Sequence, residues 1–380
     1  MSNSKAEPYG LYFHIPFCLR KCSYCDYYSL IKLDKIDEFV NSLTKEVESR
    51  KIEENHLVKT IYIGGGTPSL LSYEHFSKIF EVINQNYKID PEAEVSVELN
   101  PENVSEEYIK QISKFVNRYS LGVQSFDDLS LLFLGRVHNA DMAKKAVEII
   151  QNQASENINI DLIYGLPSTS RDVWKANLDK FFQLNIPHLS AYSLSIEEKT
   201  KLWADIRHKK IPPLKEENSL EDYNLLIEMM KERNYHHYEI SNFAKDGFFS
   251  QHNSSYWKGR KYLGFGPSAH SYDGNIRRWN LSSITLYMKA IENNTCYFDY
   301  ENLSERDKLN EYIMTSLRTF WGINLQEVKG KWGEYLARKL LVNLNKISPE
   351  NIINSEQNWT LTQQGMMISD DIISDLFFID

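Results

Sequence analysis

The sequence predicts an α/β protein: a partial, open (β/α)6 TIM-like barrel followed by a C-terminal, mainly α, winged-helix-like domain. Three observations carry that expectation. Over the first half of the chain, short β-rich apolar runs alternate with longer amphipathic stretches. Each of the first five apolar runs ends in cysteines, glycines or polar residues that could meet a ligand. Beyond about residue 281 the texture changes to short helices and one small hairpin.

The strand-like runs fall at residues 11–15, 60–63, 95–99, 119–123, 158–163 and 189–194. Between them, helical periodicity is read at 35–50, 73–86, 105–115, 141–151 and 171–184, several opened by Ser, Asp or Thr in capping position. Strict β/α alternation implies a parallel sheet with right-handed crossovers. The later region reads as helices at 305–319, 325–331 and 334–345, a strand near 359–362, and a last helix ending near Phe377. The division is therefore 1–280 for the barrel with a junction segment and 281–380 for the C-terminal domain.

Composition narrows the function. A chain of 380 residues can build one large domain and one smaller one. Its 42% hydrophobic and 25% charged content is that of a globular protein, with no apolar run long enough to span a bilayer. A net charge of -9 argues against a nucleic-acid partner. Residues 301–380 carry 8 Lys/Arg against 12 Asp/Glu, so the winged-helix-like region reads as a lid or a protein-docking surface rather than a DNA reader. The 23 tyrosines and 18 phenylalanines suit flat aromatic ligands and a packed core equally. Four cysteines, with no signal peptide read in the first ten residues, describe a reducing, cytoplasmic setting.

Cys18, Cys22 and Cys25 crowd into eight residues just after the first strand. Three thiolates on one loop can hold three irons of a four-iron cluster and leave the fourth open to an outside ligand. Zinc would need a fourth Cys or His, and only His14 is near. Spacing alone leaves the cluster, a zinc knuckle and buried thiols all open. Cys296, remote in sequence, reads as a buried or idle thiol.

The second strand runs into Gly64-Gly65-Gly66-Thr67-Pro68, where backbone groups can approach a ligand closely. No Lys-Ser/Thr follows, so this is not a phosphate loop. The third strand ends at Glu98, the fourth at Gln124 with Arg136 beyond it, and the fifth spans Asp161 and Ile163. Arginine suits a carboxylate through its two-donor fork. Singly, each polar residue reads as a cap or a surface group. Their recurrence at successive carboxyl ends of strands, where barrels bind ligands, makes them candidates.

The stretch Tyr12-Phe13-His14-Ile15-Pro16-Phe17-Cys18-x-x-x-Cys22-x-x-Cys25-Asp26-Tyr27 resembles the signature of radical S-adenosylmethionine (SAM) proteins. Within them it resembles the branch shared by oxygen-independent coproporphyrinogen III oxidases and HemW-type heme chaperones. The resemblance implies a 4Fe-4S cluster on the three cysteines, SAM on the open iron, and a reductant such as flavodoxin or ferredoxin. It also implies roles: Gly64, Gly65, Gly66 and Thr67 against the methionyl amino group, and Glu98 on a ribose hydroxyl or an amino group. Gln124 and Arg136 fall around the ribose and carboxylate, and Asp161 on the ribose or adenine side, with Ile163 as packing. Tyr12 falls near the carboxylate and Tyr24 beside the adenine.

His252-Asn253-x-x-Tyr256-Trp257 resembles a hallmark of the HemW group. It offers an imidazole or phenol as axial ligand, and two aromatic faces for a porphyrin. The same residues allow a plainer reading: His252 and Asn253 bond the backbone while Tyr256 and Trp257 fill the domain junction. Tyr27 stands where the oxidase branch carries an additional cysteine, and little chain precedes the first strand; both weigh toward the chaperone branch. The expectation is a heme chaperone that binds the cluster, SAM and heme, and passes heme to an acceptor such as a respiratory, membrane-associated protein. The alternative is oxidative decarboxylation of coproporphyrinogen III to protoporphyrinogen IX. Whether SAM is cleaved, structural or gating stays open.

Overall fold

The computed structural model describes residues 8–50, 56–167, 169–356 and 358–379. Residues 1–7, which contain most of the stretch examined for a signal peptide, lie outside the described residues. Six parallel strands cross the sheet in chain order: β1 (Pro8–Ile15), β2 (Leu57–Gly65), β3 (Ile89–Leu99), β4 (Arg118–Gln124), β5 (Ile158–Tyr164) and β6 (His188–Ser193). Helices α1 (Ile36–Ser49), α2 (Tyr73–Asn86), α3 (Glu106–Ile112), α4 (Asp128–Leu134), α5 (Ala140–Gln153) and α6 (Arg171–Gln183) connect them, and α7 (Lys201–Arg207) and α8 (Glu216–Glu232) follow.

The sequence sets the helix starts locally. Ser72 accepts from the His75 amide while the His75 ring accepts from the Ser72 amide, closing a capping box ahead of α2. Ser105, Asp127 and Asn139 accept from amides in the first turns of α3, α4 and α5. Helix α3 stops at Ile112, short of the predicted 115, and Phe115 stacks instead on Phe80 of α2 with centroids 5.1 Å apart.

The strands alternate strictly between two environments. Leu11, Phe13 and Ile15 of β1, Ile61 and Ile63 of β2, Val95 and Val97 of β3, Leu121 of β4, and Ile158, Ile160 and Leu162 of β5 belong to one core shared with the helices. The intervening residues point the other way, because successive strand side chains take opposite faces. That inner face carries Tyr12, Thr60, Tyr62, Glu94, Ser96, Glu98, Ser120, Asn159, Asp161 and Ser190. A parallel sheet covered on both sides ordinarily reads as continuous apolar runs; here one side is polar and surrounds cavities.

Beyond α8 come β7 (His236–Glu239) and β8 (Asn242–Ala244), α9 (Gln251–Trp257), then β9 (Tyr262–Phe265), β10 (His270–Tyr272), β11 (Ile276–Asn280), α10 (Ile284–Glu292) and β12 (Phe298–Asn302). They extend both edges of the sheet to twelve strands, in the order β12-β11-β10-β9-β1-β2-β3-β4-β5-β6-β8-β7. Strand β9 runs parallel to β1, and β10, β11 and β12 are antiparallel. The sheet therefore runs on to Asn302, past residue 281 where the sequence division falls. Glu46 of α1, fully buried, ties this extension down: it accepts from the Gly266 amide (2.8 Å), the Asn280 amide group (2.9 Å) and the Tyr287 hydroxyl (2.6 Å), and pairs with Arg50.

A second core begins at Leu309 and includes Ile313, Leu317, Ile323, Leu340 and Trp359. It is built from α11 (Glu305–Leu317), β13 (Ile323–Asn324), α12 (Leu325–Trp332), α13 (Glu334–Leu344), β14 (Ile352–Ser355), β15 (Asn358–Leu361), α14 (Gln363–Met367) and α15 (Ser369–Leu376). Helix, strand, two helices and a hairpin in that order, with the sheet ordered β13-β15-β14, form a winged helix. The two units meet through backbone bonds, Ile240 N–H to Arg318 O at 3.0 Å and Phe320 N–H to Tyr238 O at 3.1 Å, and through the Arg277–Glu311 ion pair. Among the described residues, no helix is long and apolar enough to cross a membrane.

Candidate functional site

The carboxyl ends of the parallel strands surround a cavity of about 880 Å3. Cys18, Cys22 and Cys25 line it, unpaired and half-buried. Their loop is pinned at several points: Cys18 N–H donates to Leu30 O at 2.8 Å, Leu30 N–H to Pro16 O at 2.7 Å, and Ser23 N–H to Leu134 O at 3.1 Å. Burial pushes the Cys25 thiol up to about 11.

The zinc reading finds no fourth ligand here. His14 is buried, and its ring nitrogens meet the Tyr12 hydroxyl (3.1 Å) and the Tyr28 carbonyl (2.9 Å). Among the described residues, no three Cys, His, Asp or Glu side chains converge on a single ion. Three free thiols on one cavity wall match the donor count of a four-iron cluster that keeps one iron open. Cys296 is exposed and apart from the cavity.

The glycine turn packs against the start of the cysteine loop. A Cβ on Gly66 would lie 2.6 Å from Phe17 O and 2.8 Å from Ile15 O, and Gly65 sits at φ +109. Only glycine fits this approach without moving backbone. Gly64 lies behind the cavity wall, where a Cβ would strike Tyr62 and Glu98. Glu98 accepts from the Tyr62 hydroxyl at 2.7 Å and the Gly65 amide at 2.9 Å. Burial raises its carboxyl to about 7, against those two bonds. Asp161, which accepts from the Asn159 side chain at 2.8 Å, is raised by burial to about 6.

Arg136 reaches the same space from the segment after α4. Its terminal nitrogens donate to Asn100 Oδ1 (2.7 Å), Gly122 O (2.8 Å) and Cys22 Sγ (3.4 Å). Burial opposes its charge, but the Tyr24 hydroxyl and the Cys22 thiol beside it hold its pKa above the usual value. Its Nε is buried with no partner among the described residues, a donor left for a ligand. Gln124, at the end of β4, holds φ +66, a left-handed conformation uncommon outside glycine and concentrated at functional sites. Tyr24 and Ile163 close one side, packed with Leu134, Leu166, Leu194 and Leu202.

Tyr12, Tyr24, Gly65, Gly66, Thr67, Glu98, Gln124, Arg136, Asp161 and Ile163 thus border one cavity, with Gly64 just behind it. The residue reading missed Tyr62, which orients Glu98, and Asn100, which bridges Thr67 and Arg136. Both had a signal: Tyr62 follows the alternation of β2, and Asn100 adjoins Glu98.

His252 and Tyr256 also line this cavity, while Trp257 faces a second one. His252 is 1% exposed. Its Nδ1 lies 2.8 Å from Thr60 Oγ1 and its Nε2 2.8 Å from the Tyr256 hydroxyl; its ring stacks on Tyr62 at 5.1 Å. Burial lowers its pKa to about 3, so the imidazole is neutral. Both nitrogens are engaged by side chains rather than backbone, the arrangement of an interior tie.

The second cavity, about 1030 Å3, lies between the barrel mouth and the winged helix. Tyr12, Tyr27, Tyr28, Tyr256 and Ser268 border both cavities. Its far wall includes Tyr312, Trp321 and Trp332 of the C-terminal unit.

Sheet, cavity and appended winged helix together define a radical SAM fold. Residues 12–180 match the Radical SAM superfamily model and residues 303–368 the HemN C-terminal domain. The chain is 33% identical to the heme chaperone HemW of Lactococcus lactis subsp. lactis (strain IL1403), covering 98% of both chains. It is also 33% identical to that of Bacillus subtilis (strain 168), covering 95% of this chain and 97% of the relative. Among solved structures it resembles the coproporphyrinogen III oxidase HemN from Escherichia coli, a radical SAM enzyme, with TM-score 0.84 and 20% identity over 99% of this chain and 91% of that one. The chain belongs to the HemW family.

Proposed function

We propose that this protein is a cytoplasmic heme chaperone that holds a 4Fe-4S cluster through Cys18, Cys22 and Cys25, binds SAM in the cavity beside them, and delivers heme to an acceptor protein. The observation that carries the reading is the adjacency of two chambers of different chemistry. One gathers three free cysteines, Glu98, Asp161 and Arg136; the other is walled by aromatic rings, and tyrosines stand between them.

When bound, cluster and SAM supply one-electron reductive chemistry, with a flavodoxin- or ferredoxin-type donor as the matching source of electrons. The chain's own residues bind and orient. Arg136, with its spare Nε, suits the SAM carboxylate; Glu98 and Asp161 suit hydroxyl or amino groups; the glycine turn lets backbone approach the methionyl end. A respiratory, membrane-associated protein fits the role of acceptor.

The test is an anaerobic heme titration of cluster-reconstituted protein, followed by Soret absorbance, with SAM binding measured on the same sample. Saturable heme uptake beside an intact cluster is expected. Sustained conversion of coproporphyrinogen III to protoporphyrinogen IX, with no specific heme uptake, would return the oxidase reading.

A further inference from the structure

We propose that heme is held in the cavity between barrel and winged helix, with the His270 imidazole as its axial ligand and Lys258 and Arg260 as partners of its two propionates. The assignment rests on the chaperone reading and moves the iron ligand away from His252.

The first argument is availability. Two histidines line the interdomain cavity, His14 and His270. His14 has both ring nitrogens engaged, as does His252 in the neighbouring chamber. His270 is exposed; its ring leans on Trp279 with centroids 6.2 Å apart, and among the described residues its nitrogens have no hydrogen-bond partner. An iron ligand needs an uncommitted ring nitrogen, and of the two histidines lining this cavity His270 is the one that has it. A chaperone must also give its cargo up. A ligand at an accessible edge serves release better than one whose use requires breaking bonds to Thr60 and Tyr256.

The second argument is shape and polarity. Strand alternation puts His270 and Tyr272 on one face of β10, while Ser271 turns inward to the Gly264 amide at 2.9 Å. Tyr262 and Arg277 lie in register with Tyr272 on the neighbouring strands. This aromatic face looks across the gap at the winged helix. A volume of about 1030 Å3 is at the upper end for ligand cavities, as a porphyrin demands.

The third argument is charge. Five Lys/Arg and three Glu line the cavity, a positive balance within a chain of net charge -9. Arg277, Lys308 and Lys331 are already paired with glutamates. Lys258 and Arg260 have no carboxylate partner among the described residues, and Lys258 lies over the Trp321 ring at 4.1 Å. Both directly follow α9, so the helix that carries Tyr256 and Trp257 also delivers two uncommitted cations to the cavity. Two carboxylates on one edge of a flat apolar molecule match that layout.

The experiment titrates heme into full-length, cluster-reconstituted wild type, His270→Ala, His270→Met and the Lys258→Gln/Arg260→Gln double variant, reading Soret position, affinity and cluster absorbance together. Wild type should bind saturably with a histidine-ligated spectrum. His270→Ala should weaken binding by about tenfold or more and lose that spectrum, with added imidazole restoring it; His270→Met should shift the band. The double variant should keep the ligation spectrum but bind about 10- to 100-fold more weakly. Retained cluster absorbance reports that the variants fold. Wild-type uptake unaltered by both His270 substitutions would overturn this assignment alone; no saturable uptake by wild type would overturn the chaperone reading with it.

Discussion

The Nε2 of His252 lies 2.8 Å from the hydroxyl of Tyr256, one turn away on α9. The pair is completed by Thr60 on β2 at 2.8 Å from Nδ1, so the imidazole clamps α9 onto the barrel's inner face. Replacing His252 by Ala leaves buried hydroxyls unpaired and should cost about 2–4 kcal/mol, visible as a lower urea midpoint.

Acid should destabilise the protein through the same residue. An unfolded histidine takes its proton near pH 6.5, whereas burial holds His252 to about 3 and His237 to about 4 in the folded state. Their contribution is complete above about 6.5 and is lost as pH falls toward 3, by up to about 1.4 kcal/mol per pH unit for each group. Urea titrations across that window should show the slope, and His252→Gln should reduce it.

Cys18→Ala, Cys22→Ala or Cys25→Ala should each abolish cluster absorbance after reconstitution, while Cys296→Ala leaves it intact. A four-iron spectrum in the triple variant would remove the basis of the cofactor assignment.

Glu98 should make SAM binding pH-dependent. With its carboxyl raised to about 7 by burial, the accepting carboxylate forms only as pH rises through neutrality. Affinity should therefore increase between about pH 6 and 8, and Glu98→Gln should flatten the profile. The same shift favours the neutral acid in the folded state. Stability gained below the unfolded value of about 4.5 should be lost as pH rises from there to about 7.

Glu46→Ala should destabilise the molecule by about 3–5 kcal/mol, since it removes the only carboxylate paired with the largely buried Arg50 among the described residues, leaving that cation its bonds to Gly264 O and Ser271 Oγ, and removes the acceptor shared by Gly266, Asn280 and Tyr287. Because that acceptor fixes the turn after β9, the end of β11 and α10, heme uptake should fall with it. Thermal melts and Soret titrations on one sample measure both.

The six barrel strands and helices α1, α2, α3, α5 and α6 were legible from their periods; α2, expected at 73–86, runs Tyr73–Asn86, whereas the seven-residue α4 and the later α7 and α8 were not read. Strands β7 to β12 were not, being only three to five residues long and defined by partners far along the chain. The cysteines, the glycine turn and Glu98 could be read from strand-end position. Tyr62 and Asn100 escaped because their importance is relational: each acts on a neighbour that position alone had already singled out. His252 shows the opposite case, a residue whose motif suggests a ligand and whose two ring nitrogens meet Thr60 and Tyr256 in the folded chain, partners that position alone could not name.

The inward face of β1 to β6 gives the scaffold a division of labour. Cohesion comes from the apolar residues that meet the helices, so the polar residues inside are relieved of holding the sheet together. A lineage, or an engineer, could exchange one inner polar side chain for another of matched hydrogen-bonding capacity and alter what the chambers accept, while the outer layer that assembles the fold stays as it was.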